Sequence, residues 1–361
     1  MKGKTFLWLT FMVLWHGVPK ALQVSWAMDE FVGFGLPGIL GLPMTGWVKV
    51  IASNGERLTM GEIVQTFQAT LCGIEQDETL RHEANFVERL HALDVLSKDI
   101  LDRIEDTLYV HGYREDLASL YRRATVLSKQ LDAVNTSLFQ RLQAQLASGT
   151  ATQTTLHQLC EGYVKQSSSV PPRIDTDEDY LDVFINGLLG IDHVPEETIY
   201  PKPEMIGYVP TPARAIFTLL AHANLHEHDV FYDLGAGLGR VSLLVGLLTP
   251  AQAKGIEIEP AYCRFAQQRA QRLNLSQVSF MNQDAGETDY TDGTLFFMYT
   301  PFTGRLLQQV LDKLCNEART RPITLAAYGP CTLQVERQNW LQPTFRQTFH
   351  PDPLVLFSSL S

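Results

Sequence analysis

A chain of 361 residues, 45% hydrophobic and 19% charged, is long enough for two domains and has the balance of a folded protein in water. That balance excludes a mostly disordered chain and a polytopic membrane protein. Twenty-nine basic residues face 40 acidic ones, a net charge of −11, and acids exceed bases in both halves, so the footprint of a nonspecific nucleic-acid binder is missing.

From the N-terminus, Lys2 and Lys4 precede an apolar run from Thr5 to Trp15, and Ser25-Trp26-Ala27 places small residues where a signal peptidase cuts. Pro19 and Lys20 interrupt the stretch between them, and the run is too short to span a bilayer. Residues 1–27 read as a signal-like or untranslated leader, with Met28 as the alternative start. Residues 28–60 form an apolar segment whose breakers (Gly33, Gly35, Pro37, Gly38, Gly41, Pro43, Gly46) predict a loop.

Residues 61–165 are predicted to be helical. Leu117, Leu120, Ala124, Leu127, Leu131, Val134, Leu138 and Leu142 alternate steps of three and four, one apolar seam along a long helix. A second amphipathic run (Phe86, Leu90, Leu93, Ile100, Ile104, Leu108) lies upstream to pair with it, so a bundle closing on itself is expected ahead of a dimeric coiled coil. Self-association through this region stays open. Gln166 to Pro172 and the acidic stretch Asp175 to Asp182 predict a linker over residues 166–200.

The chemistry begins after residue 200. Thr211-Pro212 predicts a helix start, with a hydroxyl cap and proline at the first position. Asp229 to Asp233 reads as a buried strand that opens into Leu234-Gly-Ala-Gly-Leu-Gly-Arg240 and then an apolar helix. Strand, glycine-rich turn and helix make the first unit of a nucleotide-binding α/β sheet. The spacing is G-x-G-x-G; the dinucleotide fingerprint wants its third glycine where Arg240 stands, and the Gly-Lys-Ser/Thr of a P-loop is missing. Two further strands end in acids: Ala253 to Glu257, and Val278 to Asp284. A carboxylate at the second strand tip can accept from the hydroxyls of a ribose, and one at the third from an adenine amine.

With these residues the sequence resembles the class I S-adenosylmethionine-dependent methyltransferases over roughly residues 200–361. The resemblance implies an α/β fold: a Rossmann-like, seven-stranded methyltransferase domain over 201–361, preceded by an all-α helical domain. It implies S-adenosyl-L-methionine as cofactor, its methionine end held by Asp233, Gly235, Gly237 and Gly239, its ribose by Glu257 and its adenine by Asp284. Thr294–Tyr299 and Ile323–Tyr328 continue the sheet, and Phe345–His350 with Leu354–Ser358 supply a terminal antiparallel pair joined at Pro351-Asp-Pro353. Glu204-Met-Ile-Gly-Tyr-Val-Pro-Thr-Pro212 is more loosely similar to the cofactor-covering segment of the Dot1-like lysine methyltransferases, which puts Tyr208 over the methionine end and adds Thr211 to the cofactor-binding set.

The acceptor site is expected after the fourth strand, at Tyr299-Thr-Pro-Phe302. Amine methyltransferases acting on nucleobases carry Asp/Asn/Ser-Pro-Pro-Tyr/Phe there; Tyr299 and Thr300 replace the first two, which puts a nucleobase acceptor in doubt. Tyr299, Phe302 and Tyr208 are the catalytic candidates: aromatic faces attract an alkylammonium, and a desolvating slot helps it lose its proton. Phe302 as core and Tyr299 as a half-exposed ring is the alternative. Cys331 reads as a packed thiol, and His222, His226 and His228 as an exposed helix end, not a metal site. The acceptor is a protein lysine or a small molecule, and a non-catalytic S-adenosylmethionine-binding assembly protein is the reading from another class.

Five cysteines (Cys72, Cys160, Cys263, Cys315, Cys331), odd in number and never in a C-x-x-C pair, point to a reducing compartment, hence the cytoplasm, while the signal-like start leaves secretion or membrane attachment open. The acidic balance predicts weak binding to duplex DNA at physiological salt. Fluorescence anisotropy over a salt series checks this, and a submicromolar, steeply salt-dependent affinity would contradict it.

Overall fold

The computed structural model describes residues 59–150, 153–167, 179–200, 203–348 and 353–360. The leader, nearly all of the Gly/Pro-rich segment, residues 168–178 of the expected linker and the expected joint at Pro351-Asp352 lie outside them. The described residues fall into two units, one ending at Asn135 and the other made of those from Thr136 onward.

The first unit is helical throughout. Its first helix, α1 (Met60–Gln76), opens on a reciprocal cap in which the Glu62 carboxylate accepts from the Thr59 N–H at 2.7 Å and the Thr59 hydroxyl from the Glu62 N–H at 3.3 Å. After a short 3₁₀ turn, α2 (Phe86–Asp94), a π-helical stretch (Val95–Leu101) and α3 (Asp102–His111) follow without a break. The inward residues there, Ala92, Leu96, Ile100 and Ile104, lie four apart. On an α-helix each such step overshoots a turn by about 40°. The wider π turn, closed by i→i+5 bonds, absorbs that drift and keeps them on one line. They pack with Phe67 and Leu71 against Leu117, Leu120, Ala124, Leu127 and Leu131 of the long helix α4 (Glu115–Ala147). This part of the apolar seam is buried within a single chain.

The second unit takes α4 from Thr136, then α5 (Gln153–Ser167) and α6 (Tyr180–Leu189). Here the structure departs from the expected linker. The Asp179 and Asp182 carboxylates and N–H groups cap each other, and Gly190 in the left-handed conformation ends α6. An acidic run that reads as solvated chain is therefore a helix start.

A seven-stranded sheet follows: β1 (Val230–Leu234), β2 (Gln252–Glu257), β3 (Val278–Asn282), β4 (Leu295–Tyr299), β5 (Thr324–Tyr328), β6 (Leu341–Arg346) and β7 (Val355–Ser359). Their order is β3-β2-β1-β4-β5-β7-β6, parallel except that β7 runs antiparallel to both β5 and β6. The helices between them are α7 (Ala213–Ala223), ahead of β1, then α8 (Arg240–Leu248), α9 (Pro260–Arg272), α10 (Gly304–Ala318) and the short α11 (Thr332–Val335). This is the expected doubly wound sheet with a helical region before it. β6 begins four residues earlier than the sequence suggests and contains Pro343, which an edge strand tolerates beside the irregularity between Pro343 and Phe345. Because β1 sits between β2 and β4, the chain reverses its winding there, and the strand ends open a crevice.

Within this unit Gly187 of α6 lies against Phe139 of α4, so closely that an added Cβ would stand 2.3 Å from the ring. Replacing Gly187 with Val is expected to destabilise the protein by about 1–3 kcal/mol, through overpacking that outweighs the lost glycine entropy. Urea unfolding checks this, and an unchanged or raised midpoint would contradict it.

Candidate active site

The loop after β1 is shaped by its own backbone. Gly235 and Ala236 both donate their N–H to the Ile256 carbonyl at 2.9 Å, and the Gly237 N–H donates to Glu257 Oε2 at 2.7 Å. Gly237 has φ +55°, and an added Cβ would stand 2.6 Å from the Tyr208 ring. Glycine is required twice over, for the turn and for the close approach. Gly239, the N-cap of α8, is also left-handed, but its missing Cβ leaves room for Phe280 and Ala266. It packs the helix onto the sheet and lies outside the lining of the cavity.

That cavity has a volume of about 390 Å³. Asp233, Gly235, Gly237 and Glu257 line one side, Tyr208 and Thr211 another, and Asp284, Tyr299 and Phe302 complete it. Apart from Gly239, the structure thus brings the candidate residues together. The acids come from the ends of three adjacent strands or the turn after them, in the order β1, β2, β3.

Each acid is set differently. Asp233 is 3% exposed and accepts from the Ser242 hydroxyl at 3.0 Å; burial pushes its carboxyl from the ordinary 3.8 to about 7. Glu257 is also raised by burial, although the N–H groups of Glu259 (2.8 Å) and Gly237 (2.7 Å) hold its two oxygens. With the Ile258 N–H as a third donor, the carboxylate still keeps acceptor capacity for a ligand. Asp284 is half-buried and accepts from the Gly286 N–H at 2.9 Å.

The segment before α7 covers the loop. Tyr208 meets Tyr262 edge-on, centroids 5.5 Å apart, and joins a small apolar cluster with Leu238, Tyr262 and Phe265. Thr211 does not cap α7. The first helical N–H, that of Ala213, donates instead to Asp182 Oδ1 at 2.7 Å, from α6. The same carboxylate oxygen accepts from Arg240 Nη1 at 2.8 Å, and Arg240 also donates to the Thr211 carbonyl (3.0 Å) and Asn186 (2.5 Å). Arg240 and Asp182 are buried, and truncating either partner of such a pair strands a charge.

At the other end, Tyr299 is half-buried and packs against Tyr328 with centroids 4.7 Å apart. Thr300 has φ +39°, a strained conformation for a β-branched residue, and its hydroxyl donates to the Tyr328 carbonyl (3.2 Å) while accepting from the Cys331 N–H (3.1 Å). Phe302 lines the cavity yet is 4% exposed and belongs to the main apolar core. It is a wall. The Cys331 thiol donates to the Tyr328 carbonyl at 3.3 Å and burial raises its pKa, which opposes a thiolate nucleophile. Among the described residues no His/Cys/Asp/Glu group is disposed to hold a metal; His222 stacks on Phe345 at 3.7 Å.

Two contributors escaped the sequence reading. Arg240 was noted only as the residue that breaks the dinucleotide pattern. Glu259 caps α9 by accepting from the Ala261 N–H and also holds Thr198 and Ile199. Burial opposes its ionisation, but these donors and the Thr198 hydroxyl pull it down to about 2. Acid followed by proline, Glu259-Pro260, is a helix-start signal that was available.

A carboxyl raised on folding contributes stability below its unfolded pKa and loses it as pH rises through its folded value. For Asp233 that window runs from about 4 to about 7. Asp233→Asn is therefore expected to flatten the fall in stability between pH 5 and 8 and to stabilise the free protein at pH 8 by about 2–4 kcal/mol. Urea unfolding across that range checks this, and parallel pH profiles would contradict it.

Residues 207–338 match the family described as Histone methylation protein DOT1. A protein-lysine N-methyltransferase of Saccharolobus islandicus (strain REY15A) is 27% identical over 96 residues, 26% of this chain and 60% of that protein. The chain thus spans 60% of the length of this curated relative. Among solved structures, an RNA methyltransferase from Salinibacter ruber in complex with S-adenosyl-L-homocysteine is 24% identical, with TM-score 0.36, over 42% of this chain and 94% of its own. A SAM-dependent methyltransferase from Aquifex aeolicus is 16% identical, with TM-score 0.34, over 40% and 89%. Sheet order, glycine loop and family match agree in supporting a class I S-adenosylmethionine-dependent methyltransferase domain in the α/β part of this chain.

Proposed function

We propose that the second unit binds S-adenosylmethionine and transfers its methyl group to the side-chain amine of a protein lysine. The observation that carries this reading is a single cavity in which three strand-end acids meet Tyr208 and Tyr299. The residues fit the cofactor: Asp233 is a buried carboxyl that a cationic amine would return to its charged form, and Glu257 and Asp284 line the same cavity as acceptors for hydroxyl and amine donors. When bound, the cofactor supplies an electrophilic methyl group on a sulfonium.

Asp233 takes the amino group of the methionine end and Tyr208 closes over it. Glu257, immobilised by backbone N–H groups, presents its remaining acceptor capacity to the ribose hydroxyls, and Asp284 accepts from the adenine amine. Tyr299, backed by Tyr328, and the Phe302 wall receive the alkyl stem of the acceptor. Lysine attacks only as the neutral amine, and an apolar wall lowers its pKa by disfavouring the charged form. Holding nucleophile and methyl group in line is the main work left to the protein.

Support for lysine comes from the matched histone-methylation family and from the Saccharolobus islandicus relative, a protein-lysine N-methyltransferase. Among the described residues no helix is long and apolar enough to cross a membrane. The five cysteines are free, which supports a cytoplasmic protein.

Two outcomes test this reading. Cofactor affinity, measured by calorimetry, should weaken by up to about tenfold per pH unit below 7, because Asp233 must shed its proton to meet an ammonium; a flat profile between pH 5.5 and 7 would contradict this. Tyr299→Ala should lower kcat by about tenfold to a hundredfold while cofactor Kd stays within twofold. Methyl transfer into protease-sensitive material checks it, and unchanged turnover would remove Tyr299 from the mechanism.

A further inference from the structure

We infer that the mouth of the cavity is a docking surface for an apolar, basic polypeptide segment, so that the acceptor lysine is chosen by its flanking residues. The inference rests on the lysine reading above and adds to it what selects the lysine.

Of the large hydrophobic side chains left in solvent in the second unit, three line this mouth and two more lie close to it in the chain. Ile199, Ile206 and Val209 are 38%, 48% and 55% exposed and line the cavity. Tyr200, next to Ile199, is fully exposed, and Leu333, at 65%, lies three residues beyond the lining residue Pro330. Scattered exposed hydrophobics need no explanation, but a contiguous set around an opening marks an interaction surface.

The backbone under these side chains is pinned. Thr198 and Ile199 donate to Glu259 at 2.8 and 3.0 Å, Ile206 donates to the Pro301 carbonyl at 3.1 Å, and Met205 pairs with Phe302. The apolar lip is thus held open by the same elements that build the cavity. A surface of this kind loses little conformational freedom on binding.

Charge selects the partner. The segment 196–209 carries Glu196, Glu197 and Glu204 against Lys202, and the fully exposed Arg305 beside it stands 3.8 Å from Glu204. With Glu204 paired to Arg305, an apolar lip bordered by Glu196 and Glu197 is complementary to apolar side chains interspersed with lysine or arginine. A free alkylamine would fill the inner slot alone and leave this surface uncovered.

The test uses the full chain, labelled S-adenosylmethionine and three acceptors: a peptide with lysine between Leu, Val and Arg, one with lysine between Gly, Ser and Glu, and n-butylamine. The first peptide should exceed the second at least tenfold in kcat/KM. The double variant Tyr200→Ala/Leu333→Ser should reduce that preference at least fivefold, through KM, with cofactor Kd within twofold of the parent. Equal kcat/KM for the two peptides, or a preference that survives the double variant, overturns the docking surface and leaves the lysine reading standing. No label in any acceptor by a protein that binds the cofactor overturns the lysine reading and this inference with it.

Discussion

The site depends on one close approach: Tyr208 lies where a side chain on Gly237 would have to be. The covering segment and the glycine loop must therefore be held in register to within a few tenths of an ångström, and the surrounding hydrogen bonds do that. Glu257 fixes the loop from below through the Gly237 N–H, at 2.7 Å. Arg240 and Asp182 fix the segment on one side of Tyr208 through the Thr211 carbonyl and the Ala213 N–H. On the other side, Pro301 and Phe302 hold Ile206 and Met205. Loss of any one would loosen the same contact, so their effects should not add.

The arrangement sets stability against function at Asp233. A buried carboxyl with only Ser242 to satisfy it resists ionisation, yet a cationic ligand needs it ionised. An energetic cost borne by the free protein becomes selectivity for a ligand that brings a positive charge to that point. The strained backbone at Thr300, fastened to the Tyr328 carbonyl and the Cys331 N–H, belongs to the same pattern: local strain next to a site, held by its neighbours.

The parts of the fold that were legible in the sequence are those governed by local rules. Buried strands opening into glycine or ending in acids gave β1 to β3, and the three-four spacing gave the long helix, because both periods are set by backbone geometry. What escaped reading was non-local. Nothing in the sequence near Ala213 says that its N–H is capped by Asp182 from another helix, and nothing near Arg240 says that it reaches both Asn186 and Thr211. Gly239 shares the pattern of Gly237, but only the packing of Phe280 shows that its task lies in the sheet–helix interface. The π-helical stretch is an intermediate case: the strict four-residue spacing from Ala92 to Ile104 was visible, although a wide turn was not inferred from it.

Calorimetric titration of S-adenosylmethionine into the full chain and into Gly237→Ala tests the central claim most directly, because the added methyl group would occupy the space between loop and cover. The account predicts binding by the parent chain and at least tenfold weaker binding by the variant, which stays folded although strain and overpacking lower its melting temperature. Equal affinities, or no binding by the parent, would contradict it.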